Sequence, residues 1–236
     1  LLPFVIAVNF KLGEYMPRQF LRLLEPLGIA SQDTTKHLTF SETARKKVDE
    51  FFIQTNLGGE DFIVGMSPSA GSKIKEWPAE RFAKVADTLI EKHSAKIIFI
   101  GGPNDTGIVQ NVIKNMKSAS GIINAQGLFS IDELKACISK VNLFVSVDTG
   151  GRCIVEAFNV PTIDIVGPVD VREQPPQGFL HRNVVPQDGS RPQLSIMNAR
   201  LYNKEEALRQ TLSITTESVI AEIDLLVRDI RENKKG

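Results

Sequence analysis

The 236-residue sequence predicts an α/β fold, built on a Rossmann-like parallel sheet with helices on both faces. Two observations predict it. Short apolar, β-branched runs of strand length alternate with amphipathic helical patterns from residue 61 onward. The clearest of these strands, residues 141–147, breaks at once into Asp148-Thr149-Gly150-Gly151 and then into a helix. Strands and helices that alternate in this way are joined by right-handed crossovers, which makes the strands parallel.

Each element has its own local signal. Strands are predicted at 2–9, 62–66, 96–100, 121–124, 141–147 and 162–166, and helices at 18–27, 41–52, 78–90, 106–116, 130–138, 152–158 and 215–231. In the helix over 78–90, apolar residues recur every third or fourth position, and Pro78 occupies the first turn. Ser130 and Glu133 have the spacing of a capping box. After Asp170 periodicity is lost, which predicts a long irregular segment before the last helix.

A domain boundary is predicted near residue 60, because the regular alternation begins there. Residues 1–60 then form the end of a preceding domain and a linker, and residues 61–236 form the sheet domain. The chain starts with Leu1 and not with Met, so we expect the true N-terminus to lie upstream.

The composition excludes several classes of function. Lys and Arg (28) balance Asp and Glu (28), so no broad basic field for nucleic acid is expected. The longest apolar runs have strand length, which excludes a membrane-spanning helix. Cys137 and Cys153 lack metal-ligand spacing, so neither a disulfide nor a metal site is predicted. The three histidines, His37, His93 and His181, are expected on the surface, and no catalytic histidine is evident.

Polar loops follow three of the predicted strands, and in a parallel sheet such loops meet at one edge. The first loop, residues 67–77, contains Ser69, Ser72, Lys73 and Lys75. Such a loop suits a diphosphate, because its hydroxyl and amide groups can donate hydrogen bonds and a lysine supplies positive charge. The alternative is a solvated loop whose lysines point to water.

The second and third loops are also open to two interpretations. Gly102 allows close backbone approach, and Asp105 offers a carboxylate for ribose hydroxyls, although a helix cap at Asn104 or Asp105 fits equally well. In the third loop, Asp148 and Thr149 fit ligand binding and helix capping about equally. Agreement among three loops at one edge favours a ligand site.

Five motifs occur in one order along the chain. They are Lys-x-Trp-Pro at 75–78, Gly-Gly-Pro before an acidic residue at 101–105, Gly-Leu-x-Ser-x-x-Glu-Leu at 127–134, Asp-Thr-Gly at 148–150 and Val-Pro-Thr-x-x-x-x-Gly-Pro at 160–168. Together they resemble the C-terminal half of the family 9 glycosyltransferases, the lipopolysaccharide heptosyltransferases. The resemblance covers about residues 60–170, and the closing helix also looks like the family.

The resemblance implies a GT-B architecture whose N-terminal domain is largely absent from these residues. It implies 1–60 as the end of the acceptor domain with its linker and 61–236 as the nucleotide-sugar-binding domain. The implied activity is metal-independent, inverting transfer of heptose, or a related sugar, from ADP-heptose to a lipopolysaccharide core acceptor. The donor is a substrate, and no cofactor or metal is expected. A cytoplasmic location is implied, with peripheral contact at the inner face of the bacterial inner membrane.

The resemblance also assigns roles to residues. Lys75 and Asp148 would be catalytic, with Lys75 neutralising the diphosphate. The donor would be held by residues of all three loops, namely Ser69, Ser72, Gly102, Asp105, Thr149, Gly150, Gly151 and Arg152. The family's general base is a carboxylate near the start of the N-terminal domain, so these residues alone are not expected to catalyse transfer.

One position departs from the family pattern. The family usually has His three residues after the glycine of Asp-Thr-Gly, and here that residue is Cys153, preceded by Arg152. A phosphate or sugar contact is therefore missing or supplied by Arg152. This leaves two alternatives open: a related nucleotide-sugar enzyme that uses another sugar, and a degenerate binding protein without catalysis.

Overall fold

In the computed structural model, a six-stranded sheet with the order β3-β2-β1-β4-β5-β6 forms the centre of the molecule. The structure describes residues 6–118, 120–173, 176, 178–195 and 202–233. The strands are β1 Phe62–Ser67, β2 Ala95–Phe99, β3 Ile122–Asn124, β4 Leu143–Val147, β5 Thr162–Ile165 and β6 His181–Val184. All five pairings are parallel. This confirms the predicted fold class, and the order reverses between β1 and β4.

The helices cover both faces of the sheet. They are α1 Met16–Arg22, α2 Glu42–Gln54, α3 Ala79–His93, α4 Thr106–Asn115, α5 Ile131–Ile138, α6 Gly151–Ala157, α7 Lys204–Ser213 and α8 Thr216–Asn233. One apolar core joins α3, α4 and α8 to the sheet. A second core joins α2, α5 and α6 to the opposite face. Neighbouring residues of a strand enter different cores, as Ile63 and Val64 do, because side chains alternate along it.

Most predicted elements are found with small shifts at their ends. The α3 helix buries Phe82, Val85 and Leu89 completely, as its periodicity predicts. The capping box at the start of α5 is present: the Ser130 amide donates to Glu133, and the Glu133 amide donates to the Ser130 hydroxyl. Pro78 precedes α3 as its N-cap and is not its first helical residue.

The prediction of a long irregular segment after Asp170 is wrong in part. This segment contains the edge strand β6 and the helix α7. The β6 sequence His-Arg-Asn-Val has one fully buried side chain, Val184, so it lacks the apolar run by which the other strands were predicted. The α7 helix is mostly polar on its outer side but buries Ala207, Gln210 and Thr211.

The N-terminal part also differs from its prediction. The helix predicted over 18–27 is observed as α1 followed by a 3₁₀ turn, Glu25–Leu27. The apolar residues of this segment are not buried, since Phe20, Leu23 and Leu27 are each more than half exposed. Of the strand predicted over 2–9, residues 2–5 lie outside the described residues, and 6–9 are not a strand.

The helix α2 lies before the predicted domain boundary but packs on the sheet domain. Val48 and Phe52 enter the same core as Ile63 and Ile98. The boundary at residue 60 stays a prediction.

The histidine prediction is wrong at two of three positions. His93 is 9% exposed, and its Nε2 lies 2.9 Å from an oxygen of Asp224. His181 is half-buried in β6, and burial lowers its pKa below the ordinary value.

Across the described ranges, none of the helices has both the length and the apolar character needed to cross a bilayer.

Candidate functional site

The three loops predicted to converge do meet at one edge of the sheet. Residues that follow β1, β2 and β4 line a common cavity of about 340 Å³. Its polar wall consists of Ser67, Ser69, Gly101, Gly102, Asp105, Thr149 and Gly151. The rest of the lining, called the apolar wall below, consists of Ile100, Pro103, Ala125, Phe129, Ile131, Leu134, Ile138 and Phe144. The cavity lies where the strand order reverses, which is the usual ligand position in open parallel sheets.

Lys75 reaches from the first loop to the third. Its Nζ lies 2.6 Å from Oδ2 of Asp148. The Asp148 side chain is 3% exposed and that of Lys75 is 26% exposed, so the ammonium is the outer member of the pair. Neither Lys75 nor Asp148 lines the cavity, but Asp148 immediately precedes Thr149 of its wall, so the ion pair neighbours the cavity along the chain.

Asp148 is held from the other side by Arg152, one turn along α6. The Arg152 guanidinium forms an ion pair with Oδ1 of Asp148 and lies 3.5 Å from Oδ2 of Asp164 on β5. The N-cap of α6 is Gly150, and no side chain caps the helix. The helix-capping interpretation of Asp148 and Thr149 is therefore wrong, because the Asp148 carboxylate joins two cations instead.

Arg152 and Asp164 are both buried, at 5% and 1% exposure. Burial raises the pKa of Asp164 to about 7, and the nearby Asp148 charge adds to this, while Arg152 and a contact with Ser146 act in the opposite direction. Arg152 lies in a buried ionic cluster with Asp148 and Asp164 as partners. Its predicted contact with the donor stays a prediction.

The second loop is folded around Asp105. The Asp105 Oδ2 accepts a hydrogen bond of 2.6 Å from the Gly102 amide, which fixes the turn. A Cβ on Gly101 would come within 2.9 Å of that same oxygen, so a larger residue there would displace the Asp105 carboxylate. Burial raises the pKa of Glu76 in the first loop, and the charge of Asp105 contributes. The two loops are thus close enough to interact electrostatically.

The predicted site residues other than Arg152 occupy three kinds of position. Ser69, Gly102, Asp105, Thr149 and Gly151 line the cavity, as described above. Lys75 and Asp148 form the ion pair beside it. Ser72 and Gly150 belong to the same loops but are not among the lining residues. Cys153, at the family's histidine position, is exposed.

The first loop is fastened to the C-terminal helices. The Thr211 hydroxyl of α7 donates to the Ile74 carbonyl over 2.5 Å, next to Lys75 in sequence. The indole of Trp77 donates to the Ile214 carbonyl over 3.0 Å and packs edge-on against Phe82. Arg81 donates to the same carbonyl. The segment that contains Lys75 is therefore held on both sides, at Ile74 and at Trp77, by hydrogen bonds to the C-terminal part of the chain.

Sequence reasoning missed Asp164 and the apolar wall. A signal for Asp164 exists, since a carboxylate inside the otherwise apolar strand Thr-Ile-Asp-Ile is rarely buried without a partner. The apolar wall has no comparable signal, because its residues come from separate elements and resemble ordinary core residues. Within the described part of the chain, no group of three or more His, Cys, Asp or Glu side chains is arranged to hold a metal ion.

The sheet order and the cleft at its reversal define a Rossmann-type ligand-binding domain. Residues 13–200 match the model of glycosyltransferase family 9 (heptosyltransferase). The chain belongs to this family. The resemblance inferred from the five motifs is confirmed.

Relatives of known annotation and structure agree with this. Lipopolysaccharide heptosyltransferase 3 of Escherichia coli K12 is 28% identical over 160 residues, which are 67% of this chain and 45% of that protein. Lipooligosaccharide heptosyltransferase 2 of Haemophilus influenzae is 30% identical over 139 residues, or 58% and 39% of the two chains. The chain spans about half the length of the curated relatives it matches.

Two solved structures show the same fold. A family 9 glycosyl transferase from Veillonella parvula superposes with a TM-score of 0.80 at 26% identity, covering 97% of this chain and 64% of that one. The E. coli ADP-heptose lipopolysaccharide heptosyltransferase II gives a TM-score of 0.66 at 19% identity, covering 87% and 56%. At that identity the second likeness concerns the fold alone.

Proposed function

We propose that this chain is the donor-binding part of a glycosyltransferase that moves heptose from ADP-heptose to a lipopolysaccharide core acceptor. One observation carries the proposal: loops after β1, β2 and β4 converge on one cavity, with the Lys75–Asp148 pair beside it. Family membership supports glycosyl transfer. The choice of donor and acceptor is supported by relatives named as lipopolysaccharide heptosyltransferases, one of them as an ADP-heptose enzyme.

The cavity has the two kinds of wall that a nucleotide needs. Its apolar side, with Phe129, Leu134 and Phe144, suits a planar base. Its polar side offers the backbone of Gly102, the Ser69 hydroxyl and the Asp105 carboxylate. We place the ribose near Asp105 and the diphosphate near Ser69 and Lys75.

Lys75 has the chemistry required at the leaving group. Negative charge develops on the departing diphosphate, and a preorganised cation stabilises it most where water is excluded. The Lys75 ammonium is positioned by Asp148 and keeps a partly exposed face. In this proposal the transfer is metal-independent and inverting, and its general base is supplied from outside the described cavity. The cytoplasmic location and the peripheral membrane contact stay predictions.

Titration calorimetry of ADP, UDP and GDP into the chain tests the proposal. We expect ADP to bind most tightly and ADP-heptose to bind at least as well as ADP. Tighter binding of UDP or GDP would overturn the choice of base and favour a related enzyme for another nucleotide sugar. Absence of binding by all three nucleotides would contradict a donor site in this cavity.

A further inference from the structure

A row of polar side chains crosses the sheet next to the Asp148 turn. Ser146, Asp164 and Asn183 are register neighbours on β4, β5 and β6. Ser146 and Asp164 are at most 1% exposed. Their strand neighbours Ile163 and Ile165 enter the core on the α8 side, so the polar row faces α6. An ionised carboxylate in such a place needs a partner, because its burial is costly.

That partner leads back to the proposed donor site. Arg152 of α6 lies between the carboxylates of Asp164 and Asp148. Asp148 divides its two oxygens between Arg152 and Lys75. The chain of contacts therefore runs from the buried carboxylate of Asp164 on β5 to the ammonium of Lys75, whose side chain is partly exposed.

We propose that Asp164 is a positioning residue for the anion site, and that it acts through Arg152 and Asp148 to set how much positive charge Lys75 presents to a ligand. The inference rests on the proposed function in one respect: it takes Lys75 as the contact of a diphosphate.

The charges of the four groups explain the effect. With Asp164 ionised, the contacts join two cations to two carboxylates, and their charges balance. With Asp164 neutral, one positive charge is in excess, and the Arg152–Asp148 and Asp148–Lys75 contacts are retained. The charged groups that face Asp164 are Arg152 from α6 and Asp148 from the turn, and Ser146 is its neutral neighbour on β4. Since burial raises the Asp164 pKa to about 7, both charge states are accessible near neutral pH.

The size of the effect follows from Coulomb's law. A unit charge roughly 10 Å from an anion, at an effective dielectric constant of about 20 and with partial screening by salt, changes binding by about threefold to tenfold. The neutral state of Asp164 should bind the anion more tightly.

The Asp164→Asn variant fixes this neutral state with little change of shape. Calorimetry with inorganic diphosphate should give dissociation constants for variant and wild type that agree within about twofold at pH 5.5, where Asp164 is protonated. At pH 8 the variant should bind about threefold to tenfold more tightly. Because variant and wild type are compared at the same pH, protonation of diphosphate itself affects both dissociation constants equally. Equal or weaker binding by the variant at pH 8 would overturn the inference.

Asp61→Asn is the matched control. It removes a carboxylate that precedes β1, at the opposite edge of the sheet, where Asp61 pairs with Lys96 at 3.1 Å. Its affinity for diphosphate should match that of wild type at both pH values. An equal gain in this variant would mean that net charge alone is responsible, and it would reject the specific role of Asp164.

A second measurement uses only the wild-type protein. Because coupling is reciprocal, bound diphosphate must raise the pH at which the Asp164 carboxyl titrates. Carboxyl ¹³C NMR should show this rise, and an unchanged midpoint would contradict the inference. Wild type that binds no diphosphate would also reject it. The preference among ADP, UDP and GDP decides the proposed function separately.

Discussion

At the scale of single residues, Lys75 and Lys73 make a matched pair. Both lie in one 3₁₀ turn of the first loop, but Lys73 is exposed and Lys75 contacts Asp148. If Lys75 binds the diphosphate, Lys75→Ala should weaken ADP binding by about 1 to 3 kcal/mol, the range for a charge-assisted hydrogen bond. Lys73→Ala should change it by less than about 0.5 kcal/mol. If calorimetry shows an equal loss of ADP affinity for both variants, Lys75 acts only through its general positive charge and not through a specific contact.

Asp164 should also make stability depend on pH. Its pKa is raised from 3.8 to about 7, so the folded protein holds this proton more tightly than the unfolded chain. Stability from this group is therefore present at low pH and is lost as pH rises toward 7. The free energy of unfolding can be measured for both proteins with urea. Relative to wild type, Asp164→Asn should gain on the order of 2 to 3 kcal/mol of stability between pH 5 and pH 8. A constant difference would show that the folded carboxyl titrates normally.

At the scale of elements, α7 lies unusually close to the loop after β5. A Cβ on Gly167 would come within 2.9 Å of the Thr211 Cα, a backbone atom that cannot move alone. Gly167→Ala should therefore destabilise the fold by about 1 to 3 kcal/mol, as overpacking does.

The control for this substitution lies in α4. A Cβ on Gly107 meets nothing within 4 Å, and alanine favours a helix by about 0.5 to 1 kcal/mol over glycine. Gly107→Ala should be neutral or stabilising in the same denaturation experiment. Similar destabilisation of both variants would mean that the close contact with α7 is not the cause.

The elements also show what a sequence can and cannot predict. The α3 helix is predictable because its apolar residues recur with one period and face one core. The β6 strand is not, because an edge strand with one buried residue has neither an apolar run nor alternation. The convergence of the three loops follows from parallel topology. The contact between Arg152 and Asp164 depends on how α6 is seated over β5, which no local pattern specifies.

At the scale of the whole molecule, the sheet reversal joins distant parts of the chain into one site. The cation comes from the loop after β1, its carboxylate partner from the turn after β4, and the buried counter-charge from β5. The apolar wall comes from the loop after β2, the segment between β3 and α5, α5 itself and Phe144 of β4. Because α7 fastens the first loop, the C-terminal helices also contribute to its geometry.

The final prediction concerns donor binding without sugar transfer. The cavity described here has contacts suited to a nucleotide, and the chain spans about half the length of the curated relatives it matches. We therefore expect the 236-residue chain to bind ADP-heptose without transferring the sugar, because nothing in the cavity is assigned to activate an acceptor hydroxyl. The measurement is ADP release from ADP-heptose in the presence of a lipopolysaccharide core acceptor.

The same assay with the E. coli ADP-heptose lipopolysaccharide heptosyltransferase II, a longer chain of the same fold, provides the comparison. That enzyme should release ADP when the acceptor is present. Turnover by the 236-residue chain alone would place the base within it and make a carboxylate near the cavity, such as Asp105, the first candidate. Absence of ADP-heptose binding would contradict the prediction, and binding without turnover also fits a binding protein that has lost its chemistry, the alternative that Cys153 leaves open.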